Sequence, residues 1–227
     1  MSIANWILLS LIIIAAGLLI FAYIKKIIIV QKICACFIIP LFGALNILLL
    51  SQYLPDSLHI MKLTIIALAL VTISTIFITF EKIKSLRILG RIIVLGNVLC
   101  WISLYRTVFY IHKVPFWLTL LMCIIYIAGM LISIILAGKQ EVLFYGLFAL
   151  SFAISAYLNF CSLIFLCFET AGSSIMLFAG TTIFMGLTGF HFINQAKLKY
   201  KHAGAIRFSL LVVSQILIAC SNILMIS

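Results

Sequence analysis

The sequence predicts an all-α fold, an integral membrane bundle of eight transmembrane helices. Of its 227 residues, 67% are hydrophobic and only 8% are charged, and the mean hydropathy is +1.40. A water-soluble domain of this size has no interior large enough to hide that much apolar surface, so we expect its solvent to be lipid. The few charges lie mostly between long apolar runs, which divides the chain into segments of membrane-spanning length.

Eight apolar runs define the predicted helices, because about 20 apolar residues cross the hydrocarbon core of a bilayer. The runs are 3–23, 27–50, 60–80, 88–111, 115–137, 142–168, 171–194 and 204–226. The first run is followed by Lys25 and Lys26 instead of a small-residue cleavage site, so we expect a retained helix and not a signal peptide. The connections are short, and we therefore expect residues 1–227 to form a single transmembrane domain.

The Lys and Arg residues predict the orientation of the bundle. Ten of them follow the odd-numbered helices and three lie on the opposite face. Loops rich in Lys and Arg stay in the cytoplasm, so both termini are predicted to lie outside. The ten residues are Lys25, Lys26, Lys82, Lys84, Arg87, Lys139, Lys197, Lys199, Lys201 and Arg207, and the three are Lys62, Arg106 and Lys113.

The formal net charge of +11 is therefore mainly a topology signal. A nucleic-acid partner would need base-reading groups beside a basic surface, and the sequence has no such pattern. The seven cysteines have no ligand-like spacing, so we expect no metal site, no disulfide framework and no cofactor. The expected location is the bacterial inner (plasma) membrane, because no eukaryotic targeting signal is visible. The oligomeric state stays open.

Polar side chains inside the spans cluster at one depth, in the third nearest the cytoplasm. Such side chains are costly in lipid and usually face the bundle interior. One interpretation is a shared cavity that opens to the cytoplasm. The other is a set of single residues that reach the interface or bond the carbonyl four residues back. The outer half holds only scattered asparagines, including Asn159. The inner set is Lys32, Ser74, Thr75, Arg91, Tyr145, Thr188, His191 and Gln215.

The seventh helix contains the segment GTTIFMGLTGFHFIN, which combines small and polar residues in an otherwise apolar chain. Its three glycines predict close approach of neighbouring helices, the usual role of small residues in membrane bundles. Helical spacing places Thr188 and His191 on one face, which becomes more polar towards the cytoplasm. Packing explains the glycines but does not explain His191. The glycines are Gly180, Gly186 and Gly189.

The order of these features resembles the lysoplasmalogenase (YhhN-like) family of eight-helix membrane proteins. In that family the seventh helix has the form G-x-x-x-F-x-x-S-D, with an Asn six residues after the Asp. The last helix carries a Gln before an apolar run, and the sixth begins with a Tyr in the form Y-x-x-x-I-x-x-M-x-x-A. The corresponding residues here are Gly180, Phe184, Asn194, Gln215 and Tyr145, with Lys32, Gly90 and Trp101 near further family positions.

The resemblance implies two catalytic aspartates, and neither is present. The family positions fall at Ser74 or Thr75 on the third helix and at Thr188 on the seventh. The whole chain has four acidic residues, all at predicted helix ends or in loops. These residues are Asp56, Glu81, Glu141 and Glu169.

The family reaction is hydrolysis of the vinyl ether of a lysoplasmalogen, which yields a fatty aldehyde and a glycerophospho-base. A proton must reach the vinyl carbon and a negative charge must stabilise the resulting oxocarbenium ion, tasks that suit a buried pair of carboxyl groups. Threonine supplies neither. Acid catalysis alone is typically worth about 10²–10⁴ in rate. We therefore expect no useful family activity unless His191, Glu81 or Glu141 acts as a substitute acid.

Three functions stay open. The first is a hydrolase of the resembled family acting on a lysophospholipid-like lipid. The second is a non-catalytic protein that binds a membrane lipid such as a lysophospholipid, and the residues favour it. The third is a small-solute transporter, which is weakened because no pair of Gly- or Pro-broken helices is visible. The predicted lipid-binding residues are Lys32, Arg91, Tyr145 and Gln215.

Overall fold

The computed structural model describes residues 3–53, 58–79, 84–109, 114–168, 172–196 and 203–224. Within these ranges the chain forms eight α-helices and no strand. The all-α prediction is confirmed, and the largest departure from the predicted bounds is at the fourth helix, which begins at Lys84 instead of residue 88. The helices are α1 (Ile3–Ile24), α2 (Ile28–Tyr53), α3 (Leu58–Thr79), α4 (Lys84–Phe109), α5 (Phe116–Ala137), α6 (Val142–Phe168), α7 (Gly172–Ala196) and α8 (Ala203–Leu224).

The helices have the length and surface of membrane spans. Seven of them, α1 to α7, are long and apolar enough to cross a bilayer, and α8 has a shorter apolar stretch at Ile206–Ser221. Large apolar side chains are exposed along α1 and α5, where Ile20 and Trp117 are 62% and 65% exposed. Apolar surface of this extent suits lipid and not water. These features indicate an integral membrane protein.

The described helices divide into two compact units. The first contains α1, α2, α3 and α4 up to Leu104, and the second runs from Tyr105 through α5, α6, α7 and α8. In the first unit α1 packs against α2, and α2 packs against α3. In the second unit α7 packs against α5, α6 and α8. The single domain over residues 1–227 stays a prediction.

A tight turn joins α1 to α2. The N–H of Ile27 donates to the Ala22 carbonyl at 2.9 Å, and the N–H of Lys26 donates to the Tyr23 carbonyl at 3.3 Å. This pair of bonds defines a Schellman cap, which places one residue in the left-handed region. Lys26 occupies that place with φ 58°. The Gln31 Nε2 adds a bond to the Ala22 carbonyl at 2.9 Å, so side chain and backbone together close the end of α1.

Replacing Lys26 by glycine is expected to stabilise the protein by about 1 kcal/mol, because glycine adopts positive φ without the steric penalty of a Cβ. The measurement is the midpoint of thermal unfolding of the purified protein in detergent. Lys25→Gly is the matched control, since it removes the same charge from a neighbouring exposed residue whose φ is not positive. A rise in midpoint for Lys25→Gly equal to that for Lys26→Gly would argue against backbone strain as the cause.

Buried side chains connect the helices of the first unit through hydrogen bonds to backbone carbonyls. Ser74 Oγ on α3 donates to the Gly90 carbonyl on α4 at 2.9 Å. Asn97 Nδ2 on α4 donates to the Ala67 carbonyl on α3 at 2.8 Å. An apolar interior makes an unpartnered polar group costly, so each bond favours one register of α3 against α4.

In the second unit, α7 and α8 approach closely at Gly180. A Cβ placed on this glycine would lie 2.9 Å from Ile218 Cγ1 and 3.0 Å from both Leu217 Cβ and the Ser214 carbonyl oxygen. These separations are shorter than van der Waals contacts, so only glycine fits. The predicted packing role is confirmed for Gly180.

The other two glycines of α7 differ from each other. A Cβ on Gly189 would lie 3.1 Å from the Ser133 hydroxyl of α5, which again indicates a close contact between helices. Gly186 is exposed, and a Cβ there would meet nothing within 4 Å. The prediction that all three glycines permit close packing is therefore wrong for Gly186, because the rotation of α7 turns this residue away from its described neighbours.

Gly138 ends α5 with φ 67° and ψ −159°, a backbone region that is essentially restricted to glycine. Its N–H donates to the carbonyls of Ile134 and Ile135. Its own carbonyl accepts the hydroxyl of Tyr145 from the first turn of α6. The Tyr145 hydroxyl in turn accepts the N–H of Gln140 at 3.1 Å. Tyr145 therefore braces the turn that Gly138 makes possible.

Replacing Gly138 by alanine is expected to lower the stability of the protein by about 1 kcal/mol, the low end of the cost of such a conformation, because the turn is partly exposed and can relax. Thermal unfolding in detergent measures the loss. Gly146→Ala serves as the control, since Gly146 lies on α6 and a Cβ there meets nothing within 4 Å. If the two variants unfold at the same temperature, the conformation of Gly138 is not a constraint on the fold.

Candidate functional site

The predicted site residues fall in both units, and each group is described within its own unit. The backbone of Lys32 belongs to α2, but its side chain lies outside the described residues. A shared cavity stays a prediction. The first unit contains Lys32, Thr75 and Arg91, and the second contains Tyr145, Thr188, His191 and Gln215.

The predicted site of the first unit lies where α3 ends and α4 begins. Thr75 is 5% exposed, and its hydroxyl donates to the Val71 carbonyl of its own helix at 2.8 Å. Its neighbour Ser74 donates to α4, as described above. Arg91 is half-buried and lies inside the apolar span Ile88–Tyr105. Among the described residues of this unit none is acidic, so its polar groups are hydroxyls, amides and cations.

Thr188 in the second unit forms the same kind of hydrogen bond as Thr75, to a backbone carbonyl of its own helix. Its hydroxyl donates to the Phe184 carbonyl, four residues earlier on α7, at 3.0 Å. Ser and Thr side chains often bond the backbone in this way inside helices. That interpretation is confirmed for both Thr75 and Thr188. Each hydroxyl proton is held by a carbonyl of its own helix, and a threonine hydroxyl does not ionise near neutral pH, so neither residue can replace a carboxylic acid.

His191 contacts a cation. Arg207 Nη1 on α8 lies 3.4 Å from His191 Nδ1 on α7, and both side chains are half-buried. A guanidinium only donates hydrogen bonds, so His191 Nδ1 is the acceptor and carries no proton in this contact. In this contact His191 Nδ1 is a hydrogen-bond acceptor, which is not the role of the proton donor that vinyl-ether cleavage requires.

The remaining predicted lipid-binding residues of the second unit have different environments. Gln215 is 1% exposed and lies on α8 within the apolar stretch of that helix. The hydroxyl of Tyr145 is engaged by the α5–α6 turn, and its ring meets Phe192 edge to face with 5.8 Å between centroids. Phe192 also stacks on Phe148 at 4.0 Å. Tyr145 thus has a structural role at the edge of an aromatic core, whether or not a lipid also contacts it.

Of the two acidic residues predicted as substitutes for the family aspartates, only Glu141 belongs to the described part of the protein. Glu81 lies outside the described residues. Glu141 is exposed at the turn before α6, and its carbonyl accepts the N–H of Phe144 at 2.9 Å. A general acid must lie within hydrogen-bond reach of the proton acceptor. An exposed glutamate at the helix end is poorly placed for a lipid tail held between spans.

The second unit contains a polar cluster around the buried Asn159 that the sequence interpretation missed. Asn159 on α6 is 2% exposed. Its Nδ2 donates to the hydroxyls of Thr181, at 3.1 Å, and Thr182, at 2.8 Å, on α7. Its Oδ1 accepts the Tyr126 hydroxyl from α5 at 2.7 Å, and the Ser162 hydroxyl lies 2.7 Å from that of Thr181. We call these five residues the Asn159 cluster.

The Asn159 cluster corrects the expectation that Asn159 is an isolated polar residue. Both N–H groups and the carbonyl of the Asn159 amide form hydrogen bonds with side chains of other helices. The cluster therefore links α5, α6 and α7 to one another. One feature of the sequence indicates part of this cluster. Ser162 follows Asn159 by three residues, which places both on one face of α6. The partners on α5 and α7 depend on helix rotation and could not be identified from spacing.

The described part of the chain contains no group of side chains placed to bind a metal ion or to form a disulfide. No group of three His, Cys, Asp or Glu side chains there is placed to hold a metal ion. The cysteines are free thiols distributed over several helices.

Comparison with protein-family models finds no match for this sequence. Comparisons with curated proteins and with solved structures find no match either.

Proposed function

We propose that this protein is a non-catalytic membrane protein that binds a lysophospholipid-like lipid within an eight-helix bundle related to the lysoplasmalogenase family. One observation carries the non-catalytic part. The hydroxyls of Thr75 and Thr188, at the two positions where the resembled family has acids, bond carbonyls of their own helices. A vinyl ether beside either hydroxyl would find there neither a proton donor of suitable strength nor a negative charge to stabilise the cation.

The lipid-binding part of the proposal is supported by ionisable and amide groups inside apolar spans. Arg91 is half-buried within a span, where a charged side chain is expensive and usually functional. Gln215 is buried within the apolar stretch of α8. A guanidinium suits the phosphate of a lipid headgroup, since it binds oxyanions in bidentate geometry. The proposal places the acyl chain among apolar helices and the headgroup near Arg91, with Lys32 as a second cation.

The proposed topology has eight transmembrane spans with both termini outside the cytoplasm, in a bacterial inner membrane. The distribution of Lys and Arg between the connections supports it. The apolar stretch of α8 is short for a span, but α8 as a whole runs from Ala203 to Leu224. About 1.5 Å of rise per residue makes a helix of this length sufficient for the hydrocarbon core.

Binding of a lysophosphatidylcholine with a photoreactive acyl chain tests the proposed function. The purified protein should be labelled by it, and unlabelled lysophosphatidylcholine should compete. Arg91→Gln should weaken labelling by about fivefold to tenfold, which corresponds to the loss of one phosphate contact. Lys62→Gln is the matched control, because Lys62 is an exposed cation on α3. Labelling that is not competed, or equal loss in both variants, would contradict a specific lysophospholipid site.

A further inference from the structure

A second arrangement of basic groups lies within the second unit, where α7 ends and α8 begins. His191 lies near the end of the span Gly172–Asn194, and Arg207 lies near the start of the apolar stretch Ile206–Ser221. Their side chains are 3.4 Å apart and half-buried. Both residues therefore stand at the boundary between apolar and polar surface. In a bilayer this is the depth at which long basic side chains reach the phosphate groups of lipids.

The contact between the two side chains fixes what they can offer a ligand. Because His191 Nδ1 accepts from Arg207, a neutral imidazole must carry its hydrogen on Nε2. The guanidinium itself has only donors. The pair thus presents N–H groups and a positive charge, without an acceptor of its own. Such a donor-only site matches an oxyanion, and the planar guanidinium matches phosphate in particular.

The excess of positive charge in the chain also favours an anionic ligand. Fifteen Lys and Arg residues stand against four Asp and Glu residues. In the second unit the described acid is Glu141, which is exposed at the α5–α6 turn. By sequence, three lysines separate α7 from α8, although they lie outside the described residues. Juxtamembrane basic charge attracts anionic lipid at about 1 kcal/mol per Lys or Arg.

We propose that Arg207 and His191 form a binding site for the phosphate of an anionic phospholipid, at the membrane surface where α7 meets α8. The guanidinium binds the phosphate oxygens, and the imidazole orients the guanidinium through Nδ1 while its Nε2–H faces the oxyanion or the headgroup. This lipid belongs to the surrounding leaflet and is distinct from the lysophospholipid proposed above. The proposal does not depend on that lipid or on any reaction.

Native mass spectrometry of the full chain in detergent tests this site, with phosphatidylglycerol and phosphatidylcholine of identical acyl chains as probes. We expect phosphatidylglycerol to be retained about fivefold to tenfold more tightly, in keeping with one or two charge contacts. Arg207→Gln should remove most of that preference. Lys139→Gln is the matched control, since it removes one exposed cation from the α5–α6 turn and should leave the preference nearly unchanged.

Two further variants and a soluble competitor test whether the preference for phosphatidylglycerol comes from Arg207 and His191. Arg207→Lys retains the charge but not the planar fork, and it should keep only part of the preference even if Arg207→Gln does not fold. His191→Gln should weaken retention less than Arg207→Gln does. Equal retention of the two lipids, or equal effects of Arg207→Gln and Lys139→Gln, would overturn the proposal. Displacement of phosphatidylglycerol by millimolar inorganic phosphate would assign the site to a soluble anion and would also overturn it. None of these results bears on labelling by lysophosphatidylcholine.

Discussion

Replacing Gly180 by alanine is expected to destabilise the second unit by about 3 kcal/mol, at the upper end of the usual cost of overpacking. The added Cβ would lie 2.9–3.0 Å from three atoms of α8, and one of these is the carbonyl oxygen of Ser214. A flexible side chain could move aside, but a backbone oxygen moves only if the helix moves. The expected response is separation of α7 from α8 along several turns. Thermal unfolding in detergent should report a lower midpoint and a less cooperative transition.

Gly186→Ala provides the matched control on the same helix. A Cβ at Gly186 meets nothing within 4 Å, and alanine within a helix is about 0.5–1 kcal/mol more favourable than glycine. This variant should therefore unfold at the same temperature as the parent or slightly higher. If Gly180→Ala and Gly186→Ala behave alike, the close packing of α7 against α8 is not a feature of the folded protein.

Replacing Asn159 by leucine is expected to cost about 2 kcal/mol. Leucine is of similar size, so the cost comes from the hydrogen bonds and not from a cavity. The Tyr126 hydroxyl would lose its acceptor, whereas Thr181 and Thr182 would keep bonds to the Phe178 carbonyl. A fully buried hydroxyl left without a partner costs about 1–3 kcal/mol; Tyr126 is half-buried, and hydrogen bonds inside membrane proteins often measure less. Chemical unfolding in mixed micelles gives the free energy.

A double-mutant cycle identifies the source of that loss. Tyr126→Phe removes the unsatisfied hydroxyl together with its bond, so the pair Tyr126→Phe and Asn159→Leu should cost less than the sum of the single changes. Ser10→Ala is a control for removing a hydroxyl, because Ser10 is exposed on α1 and its hydroxyl donates to the Trp6 carbonyl of its own helix. Strict additivity in the cycle would show that Asn159 and Tyr126 do not interact.

The sequence predicts the positions of the helices because the pattern that specifies a span, a long apolar run between charges, is local. A run of about 20 apolar residues between charges specifies a span almost independently of its neighbours. The sequence predicts the start of α4 at residue 88 instead of Lys84, because Lys84 and Arg87 have the charge typical of a connection. Basic side chains at a helix end extend to the interface without ending the helix.

Helix rotation could not be read from the sequence, and the missed features depend on it. Gly180, Gly186 and Gly189 look equivalent in the printed segment, yet only two of them meet a neighbouring helix. Asn159 looked isolated because its partners Tyr126 and Thr181 belong to other helices. When every face of a helix is apolar, the amphipathic signal that would reveal the buried side is weak.

The sequence predicts only part of the candidate site, again because it does not specify the rotation of each helix. The polar residues at its depth are visible in the sequence, and of the two interpretations left open for Thr75 and Thr188 the structure shows the bond to the backbone carbonyl four residues earlier. The sequence does not predict the contact between His191 and Arg207, because the position of Arg207 in a basic connection indicates only topology. This contact changes the interpretation of His191 from a substitute acid to a hydrogen-bond acceptor beside a cation.

Aldehyde release from a lysoplasmalogen by the purified, folded protein tests the central claim most directly. Under the proposed relation to that family, Thr75 and Thr188 lie at the positions of its acids, their hydroxyls bond their own helices, and the Arg207 guanidinium lies beside His191. The assay should therefore give no aldehyde above the rate without protein, under conditions in which lysophosphatidylcholine labels the protein. Aldehyde release that saturates with substrate and scales with protein concentration would contradict the account. In that event, loss of turnover in His191→Ala or Glu81→Gln would identify the acid.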